Sequence, residues 1–490
     1  MNILLIYPQT PGTFWSFKNI LKFVSRKATF PPLGLLTVAA LLPLEWDKRL
    51  VDLNVSELLD EDIAWADLVM VSAMIIQEAS AKEVIARCRQ KKKVILAGGP
   101  LFTAQPEKFS QVDHLFLGEA EDTMPQFIAD WKSGRTKKIY SPENYPDIAT
   151  TPIPMWSLIN PKDYVTMTVQ YSRGCPYDCE FCDIIILNGR RPRTKSPEQF
   201  MNELEELYQA GWRGSVFIAD DNLIGNKQKV KLMLRVLIGW QKQKRYPFRF
   251  LTQASVNLAD DDELLELMSL ANFFKVFLGI ETPSQESLEE CGKKQNIKSD
   301  IAAAVKKIHH HGMQVMAGFI IGFDNDPDNI FQLQKEFIEG IGVIVAMVGL
   351  LTALPGTRLY HRLQDEKRLL GESSGGNTDA YLNFTPRMDK EVMLQEYKKL
   401  IRTLYGARSY YSRIHTFLRD YRPSVKGGKI GWKDISAFLK SIFFIGIFSR
   451  AAGHYWWLLV KTILWRPKAL PMAVELAIQG RHFYKIALDL

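Results

Sequence analysis

Three cysteines within eight residues constrain this chain more than any other feature. The stretch Cys175-Pro-Tyr-Asp-Cys179-Glu-Phe-Cys182 has the spacing C-x3-C-x2-C. Thiolates this close together on a loop can hold an iron–sulfur cluster. Three thiolates on a four-iron cluster leave one iron without a protein ligand, so that iron can bind a small molecule and pass it an electron. The alternatives are a chance cluster or a zinc site, but structural zinc takes four ligands, usually on paired C-x2-C arms, and the sequence has no second pair.

Length and composition set the broad class of the protein. A chain of 490 residues is too long for one hydrophobic core, so we expect two or three domains. The contents of 47% hydrophobic and 24% charged residues are typical of a soluble globular protein. The remaining cysteines, Cys88 and Cys291, are isolated, and the start of the chain lacks the pattern of a signal peptide. No apolar run reaches the roughly 18 residues that span a bilayer, so we predict a location in the reducing cytoplasm.

Apolar runs of strand length alternate with helical patterns through the first 140 residues. The runs cover residues 2–7, 49–53, 68–72, 94–97 and 114–117. This alternation predicts a parallel sheet with helices on both faces, so we expect a Rossmann-like (flavodoxin-like) α/β domain over residues 1–140. Ligands of such sheets bind beyond the carboxyl ends of the strands. At those ends the sequence has Asn54, Ser72 and the pair Gly98-Gly99.

A second alternation follows a proline-rich linker, residues 141–163. The stretch 164–171 is typical of a strand, and the cysteine loop follows it directly. Further strands are predicted at 215–220, 248–253, 274–280, 314–321 and 343–351, with helices at 227–242, 261–270, 297–310 and 328–340. Ser196-Pro197-Glu198-Gln199 has the form of a capping box and opens another helix. Six such units over residues 164–370 predict a partial (β/α)6 barrel of the TIM type, with its chemistry at the C-terminal ends of the strands.

Polar residues and glycines mark the ends of the other barrel strands. Asp220 and Asp221 end the second strand, Gln253 the third and Glu281 the fourth, and the fifth ends with Gly318 and Gly322. We expect these residues to share one face of the barrel, although Asp220 and Asp221 could equally cap a helix. Two other groups have simpler interpretations. The basic run with Arg193 is either a solvated face or an anion site, and His309-His-His311 is predicted to be a solvated helix end.

The last 120 residues differ from the rest in pattern and charge. Helices are predicted at 389–406 and 408–420, so we expect a mostly helical domain over residues 371–490. Residues 422–490 contain eleven Lys and Arg against three Asp and Glu, which accounts for the whole net charge of +8. Basic residues here interleave with aromatic runs at 441–448 and 455–465, a pattern that favours contact with a membrane surface or a lid over a hydrophobic substrate. The alternative is a helical cap packed on the barrel; nucleic acid is not expected.

The cysteine spacing resembles that of the radical S-adenosylmethionine (SAM) superfamily. The Ser72 and Gly98-Gly99 pattern, together with Gly118-Glu119-Ala-Glu121, resembles the cobalamin-binding domain of cobalamin-dependent radical SAM enzymes. The resemblance extends to one branch of that family, which includes the hopanoid C-2 methylases, through five further stretches: 13–17, 30–34, 99–103, 191–195 and 290–296. Bacteriochlorophyll side-chain methylases are more distant relatives.

This resemblance implies a [4Fe-4S] cluster, SAM and cobalamin as cofactors. Cob(I)alamin would take a methyl group from one SAM, and a second SAM at the open iron would give a 5′-deoxyadenosyl radical that removes hydrogen from an unactivated carbon. That carbon would then take the methyl group. The implied activity is C-methylation of a hydrophobic lipid or tetrapyrrole pigment, with flavodoxin or ferredoxin as electron donor. Ring formation or oxidation without methyl transfer is one alternative, and a non-catalytic cobalamin- or membrane-binding protein is another.

The resemblance also assigns roles to single residues. Asn54 replaces the family's cobalt-ligating His, so we expect no His ligand below the cobalt, while Glu119 belongs to the cobalamin-domain motif. For SAM, the region of Asp220 and Asp221 would contact the methionyl amino group, Glu281 the ribose or amine, and Gly318 to Gly322 the adenine. Arg193 would contact the SAM carboxylate. The acid expected three residues after the last motif is Asn325 here, which departs from the family pattern.

Overall fold

The computed structural model describes residues 1–297, 299–376, 378–424, 426–427 and 431–490, without the side chain of Lys433. Lys298 of the predicted helix 297–310 lies outside these ranges. So do Asn377, Val425 and residues 428–430 of the predicted C-terminal domain.

The N-terminal region is a six-stranded parallel sheet with helices on both faces. The strand order is β2-β1-β3-β4-β5-β6. Side chains alternate between the two faces of each strand, so Leu4 and Ile6 of β1 pack under α2 to α4, while Ile3 and Leu5 pack under α1 and α5. The elements are β1 Asn2–Tyr7, α1 Leu33–Leu41, β2 Asp47–Asp52, α2 Asp60–Trp65, β3 Leu68–Ser72, α3 Glu78–Gln90, β4 Val94–Gly98, α4 Pro100–Ala104, β5 His114–Phe116, α5 Ala120–Lys132 and β6 Ile139–Tyr140.

The middle region is a second six-stranded parallel sheet, which forms an open barrel. Its order is β14-β13-β12-β11-β10-β7, so β7 and β14 lie at opposite edges. The predicted α/β fold with a partial (β/α)6 barrel is therefore confirmed. The elements are β7 Met167–Val169, β8 Ser172–Arg173, α6 Ile184–Leu187, β9 Arg193–Thr194, α7 Pro197–Gln209, β10 Gly214–Ile218, α8 Lys227–Gln243, β11 Phe248–Ala254, α9 Asp262–Leu270, β12 Phe273–Glu281, α10 Gln285–Glu290, α11 Lys294–Ile297, α12 Ile301–His310, β13 Gln314–Ile321, α13 Ile330–Ile341, β14 Ala346–Leu350 and α14 Arg358–Asp365.

Two local details differ from the predictions. The first barrel strand is shorter than the predicted 164–171, because the chain leaves the sheet after Val169 and forms the separate antiparallel pair β8–β9. The capping box is only half formed. Ser196 accepts a hydrogen bond from the backbone N–H of Gln199 at 3.1 Å, but the Gln199 amide turns away and donates to the carbonyls of Ile148 and Thr151 in the linker.

The C-terminal region is helical, as predicted. It consists of α15 Lys390–Leu404, α16 Ala407–Asp420, α17 Trp432–Ser441, a π-helix Ile442–Ile447, α18 Ala452–Trp465 and α19 Leu470–Asp489. The prediction of a solvated end for α12 is wrong for His309. Its ring is buried edge-on against Phe417 of α16 at 4.8 Å, and burial lowers its pKa to about 3. Within the described residues, no helix is long and apolar enough to cross a membrane.

Candidate active site

The cysteine loop, residues 174–192, is closed at its base by the β8–β9 pair. Gly174 begins the loop with a φ of +94°, and a Cβ there would lie 2.9 Å from the carbonyl oxygen of Gly189. The backbone N–H of Cys175 donates to that same carbonyl at 3.1 Å. Only glycine fits this crossing, so the two ends of the loop are held together and the loop projects beyond the first barrel strand.

All five cysteines are free thiols. Burial raises the pKa of the Cys182 thiol to about 12, a shift that the ammonium of Lys293 opposes. No three His, Cys, Asp or Glu side chains in the described part of the chain converge on a single metal ion. A four-iron cluster takes each thiolate at a different iron, so its three cysteines need not meet at one metal ion. The donor set fits such a cluster, and its assembly must displace the thiol protons.

The two acids after β10, the second barrel strand, accept hydrogen bonds from residues at or just before the start of the cysteine loop. Asp220 is fully buried and accepts hydrogen bonds from the backbone N–H of Tyr171 at 2.8 Å and from the Ser172 hydroxyl at 2.6 Å. Burial raises its pKa to about 7. Asp221 accepts from the N–H of Gly174 at 2.8 Å. Both acids are thus engaged in holding the loop, and the predicted contact with the SAM amino group stays a prediction.

The residues after Asp221 connect the loop to the third strand. The side-chain amide of Asn222 lies 3.9 Å from the sulfur of Cys175, and its oxygen accepts from the N–H of Ser255 at 3.2 Å. Gln253, two residues earlier, is half-buried on β11. Asn222 was not among the predicted site residues, although its place at a strand end is the same signal that identified its neighbours.

Glu281 forms a buried ion pair with a lysine that the sequence did not identify. Lys293 donates to Glu281 at 2.6 Å, and both side chains are nearly inaccessible. Although burial alone would lower it, the Glu281 carboxylate holds the pKa of Lys293 above its usual value. Glu281 has a φ of +68°, and a Cβ at Gly279 would lie 2.7 Å from the Lys293 nitrogen. This pairing holds the turn between α10 and α11, and the backbone N–H of Glu180 in the cysteine loop donates to the Cys291 carbonyl in that turn at 2.9 Å.

A cavity of about 220 Å³ opens at the C-terminal ends of β12 to β14. Phe181 of the cysteine loop lines one side, and Phe277 and Met347 line it within the barrel. The predicted residues Gly318 and Glu281 also line it, but Gly322 does not. The remaining lining residues are Gly279, Phe319, Ile320, Gly349, Leu350, Leu351, Thr352, Leu354, Ser373, Gly375 and Gly376. The cavity is therefore mostly apolar, with one buried ion pair at its edge.

The backbone after the fifth barrel strand is held by Asp326 and not by a residue at position 325, where the resemblance predicted an acid. The backbone N–H of Gly322 donates to Asp326 at 2.7 Å, and Asp326 also accepts from the N–H of Phe323 and the hydroxyl of Ser287. Burial raises the pKa of Asp326 to about 6. Asp326, one residue after the position where the resemblance predicted an acid, therefore supplies the carboxylate that holds this turn.

The predicted cobalamin residues lie together at the carboxyl edge of the N-terminal sheet. Asn54 is held within its own loop, where its oxygen accepts from the N–H of Thr10 at 2.8 Å and its amide donates to Asp52 at 2.7 Å. Gly99 has a φ of +96°, and a Cβ there would lie 2.7 Å from the hydroxyl of Ser72. The close approach of β3 and β4 already requires this glycine, so its contact with cobalamin stays a prediction.

A buried ion network joins this edge to the cysteine loop. Arg173, two residues before Cys175, pairs with Glu119 and with Glu121, the latter at 2.8 Å. Arg193 pairs with the same Glu119 and donates to the Pro146 carbonyl at 2.6 Å. These contacts hold the carboxyl edge of the N-terminal sheet against the barrel. The predicted contacts of Arg193 with a SAM carboxylate and of Glu119 with cobalamin stay predictions.

An aromatic loop makes a second contact between the sheets. Trp15 follows β1, and its indole N–H lies 3.0 Å from the sulfur of Met347. Its ring meets Phe277 edge-on at 5.3 Å. Because Phe277 and Met347 both line the cavity, Trp15 supports the cavity wall from the cobalamin-binding side.

Matches to family models agree with this division of the chain. Residues 22–128 match the B12 binding domain and residues 169–338 the radical SAM superfamily. Residues 357–489 match a domain of unknown function, DUF4070. Together with the cysteine loop facing the N-terminal sheet, these matches define a cobalamin-binding radical SAM enzyme.

Two similar proteins indicate which group of cobalamin-binding radical SAM enzymes the chain belongs to. The chain is 46% identical over 430 residues to an uncharacterized methyltransferase of Synechocystis sp., covering 87% of this chain and 80% of that protein. It is 36% identical over 447 residues to the hopanoid C-2 methylase of Rhodopseudomonas palustris, covering 88% and 85%. The chain therefore belongs to the cobalamin-dependent radical SAM methyltransferases, and its cofactors are SAM, a [4Fe-4S] cluster and cobalamin.

Solved structures show the same fold. The methyltransferase TsrM from Kitasatospora setae, with cobalamin and a [4Fe-4S] cluster bound, matches with a TM-score of 0.63 at 14% identity, over 98% of this chain and 99% of that one. The cobalamin-dependent radical enzyme OxsB matches with a TM-score of 0.61 at 15% identity, over 100% and 81%.

Proposed function

We propose that this methyltransferase acts on an unactivated carbon of a hydrophobic ring compound, either a hopanoid or other isoprenoid lipid or a tetrapyrrole pigment. The observation that carries this proposal is the mostly apolar cavity beside the cysteine loop, which the N-terminal sheet supports through Trp15. The names of two relatives point the same way: a hopanoid C-2 methylase and, at 23% identity, a bacteriochlorophyllide d C-12(1)-methyltransferase.

When bound, the cofactors supply the radical chemistry and the methyl group; the chain supplies ligands, orientation and a dry site. Cys175, Cys179 and Cys182 would hold the cluster. Lys293 places an ammonium beside these thiols, and Glu281 balances its charge within the barrel. Phe181, Phe277 and Met347 would pack against the substrate and keep water from the reacting carbon.

The residues proposed for cobalamin are Asn54, Ser72, Gly98 and Gly99 at the carboxyl edge of the first sheet. The hydrogen bonds of the Asn54 side chain within its loop support the expectation that this position provides no His-like ligand to the cobalt. The proposed SAM residues are Asp220, Asp221, Gln253, Glu281, Gly318 and Gly322, at or near the ends of the barrel strands.

The proposal includes partners and a location. A flavodoxin or ferredoxin would supply electrons in the cytoplasm. A hydrophobic substrate of this kind resides in membranes, so the enzyme would meet it at the inner membrane surface through its basic C-terminal region. Residues 422–490 of that region contain eleven Lys and Arg but only three acidic residues.

The test is an anaerobic reaction of the reconstituted enzyme with methyl-deuterated SAM, a strong reductant, and lipid and pigment extracts of the source organism. We expect 5′-deoxyadenosine and a lipid or pigment that carries the label, both detected by mass spectrometry. Deoxyadenosine together with an altered but unlabelled product would instead establish ring formation or oxidation.

Two cysteine variants control this experiment. Cys179→Ala should lose the cluster and all cleavage of SAM. Cys88→Ala removes a thiol that is buried in α3, far along the chain from the loop, and should keep both. Cleavage retained in Cys179→Ala would contradict the assignment of the cluster.

A further inference from the structure

The hairpin of α17, the π-helix and α18, residues 432–465, is apolar on the side that faces solvent. In α18 the buried side chains are Tyr455, Leu458, Leu459 and Thr462, and the exposed ones are His454 near its start and then six apolar residues, Trp456, Trp457, Val460, Ile463, Leu464 and Trp465. A surface helix of a globular protein normally has a polar outer face, whereas a helix that is apolar all round is typical of a core or a membrane environment.

The preceding segment repeats this arrangement. From Trp432 the exposed apolar residues form one stripe along α17, the π-helix and the residue after it: Trp432, Ile435, Leu439, Phe443, Phe444, Ile447 and Phe448. The two segments pack against each other through a hydrogen bond of 2.7 Å between the hydroxyls of Ser441 and Tyr455. The indole of Trp456 donates to the Gly446 carbonyl at 2.9 Å. The two exposed stripes therefore adjoin; together we call them the hairpin face.

The size of the hairpin face sets it apart from ordinary surface. Its five most prominent aromatic side chains are 50% to 79% exposed: Trp432, Phe443, Phe448, Trp457 and Trp465. At about 200 Å² for each aromatic side chain, these five alone expose roughly 650 Å². This area exceeds the largest apolar patch of a typical monomer, and larger patches mark interaction sites.

Cations surround the hairpin face, while acids are scarce. Arg450 and Lys468 are exposed at the ends of α18 and just beyond it, and Lys22 is exposed beside α17. Of the three acids in residues 422–490, Glu475 is partly buried and paired with Lys275, Asp434 is exposed and accepts from the N–H of Gly431, and Asp489 is exposed at the end of α19. The partner of this face must therefore be apolar at its centre and negatively charged around it.

We propose that the hairpin face inserts into the interfacial layer of an anionic lipid bilayer. Tryptophans at both ends of an apolar stripe, with lysine and arginine beside them, are typical of segments that lie in the membrane interface. A second copy of this chain fits less well, because a symmetric contact would bring the same cations together. Under the proposed function, the hairpin face is the surface through which the enzyme reaches its lipid or pigment substrate. Only this link to the substrate rests on the proposed function; the binding of lipid does not.

Vesicle binding tests the proposal without any catalysis. The holoenzyme is sedimented with vesicles of phosphatidylcholine alone and of phosphatidylcholine with 30% phosphatidylglycerol, in the absence of SAM and reductant. We expect partitioning to the anionic vesicles that is at least tenfold stronger and that falls as salt rises, with quenching of tryptophan fluorescence by brominated lipid.

Paired variants locate the surface. Trp457→Ser with Leu464→Ser should weaken binding at least tenfold. Leu232→Ser with Val236→Ser changes two apolar residues of comparable exposure on α8 of the barrel and should leave binding unchanged. Equal binding by both variants would overturn the proposal. So would sedimentation velocity that shows a dimer dissolved by the Trp457 variant, since that outcome assigns the face to a second copy. Because these assays need no substrate, their failure is distinct from a failure of methyl transfer.

Discussion

The ion network around Arg173 makes a measurable prediction about how the two sheets are joined. Replacing Arg173 with Met keeps most of the apolar stem and removes the charge. Glu119 keeps Arg193 as a partner, whereas Glu121, whose side chain is only 3% exposed, keeps only the hydroxyl of Thr151. Removing one partner of a buried pair and leaving the other charge uncompensated costs about 3–5 kcal/mol. We expect the free energy of unfolding in urea at pH 7.5 to fall by that amount.

The pH dependence of this loss follows from the pKa of Glu121. In the native protein, burial raises that pKa, but Arg173, together with the hydrogen bond from Thr151, more than offsets the effect, and the pKa lies below its usual value. Without Arg173, burial, which is the largest of these effects, is opposed mainly by the hydrogen bond from the Thr151 hydroxyl. We therefore expect the pKa of Glu121 in the folded variant to rise above its unfolded value. A raised pKa means that stability is present at low pH and lost as pH rises. The difference between the two proteins should therefore be small near pH 4.5 and grow toward pH 7.

Two further variants separate this effect from a general loss of charge. Arg190→Met removes a side chain that is 60% exposed and lies 3.6 Å from Asp178, so the change should stay within about 1 kcal/mol. Adding Glu121→Gln to Arg173→Met should recover at least about 1 kcal/mol, because it removes the buried uncompensated charge. The reasoning is refuted if Arg173→Met costs no more than Arg190→Met, or if Glu121→Gln lowers the stability further.

Three other substitutions test single features of the site. Gly99→Ala should lower the free energy of unfolding by about 1–3 kcal/mol and weaken cobalamin uptake measured by absorbance, because the new Cβ would meet the Ser72 hydroxyl. Gly134 also has a positive φ but lies in open space, so Gly134→Ala should lose less stability and keep cobalamin. The pKa of Asp220 is about 7 in the folded protein and 3.8 for a free aspartate. As pH rises from 4 to 7, the stability of the native protein should therefore fall relative to Asp220→Asn, by at most roughly 4 kcal/mol in urea unfolding. A difference that stays constant with pH contradicts this prediction. Trp15→Ala should destabilise the protein by about 2 kcal/mol, less than the 3–5 of a fully buried aromatic, whereas Trp15→Phe, which loses only the N–H contact with Met347, should stay within about 1 kcal/mol in thermal unfolding.

The fold was predictable because its signals are local. Buried parallel strands are short apolar runs in the sequence. The bounds of these runs predicted the ends of the barrel strands to within a few residues. Polar residues at those ends then identified Asp220, Asp221 and Glu281 as neighbours of the cysteine loop. The sequence could not show what each side chain would contact. Asp220 and Asp221 hold the backbone of the loop, which is a function of tertiary position rather than of spacing.

The residues that sequence reasoning missed depend on contacts between distant segments. Lys293 becomes part of the site because Glu281, in a left-handed conformation, turns its carboxylate toward it. Trp15 reaches Met347 across 332 residues, and no pattern of period two or 3.6 carries that information. Asp326 shows a smaller difficulty. An acid was expected at 325, and the turn after Gly322 accommodates one further residue before the carboxylate returns to the backbone N–H groups.

The contacts between the two sheets indicate that neither half of the site is complete without the other. Arg173 and Arg193 come from the strands that close the cysteine loop, yet their carboxylate partners lie after β5 of the first sheet. The Tyr164 hydroxyl donates to Asp52 at 3.0 Å, which ties the start of the barrel to the end of β2. If the first sheet were absent, two buried guanidinium groups at the base of the cluster loop would lose their counter-charges. The cobalamin-binding edge therefore helps to hold the cysteines in place, and the geometry of the cluster loop depends on the same contacts that bring the two cofactor-binding regions together.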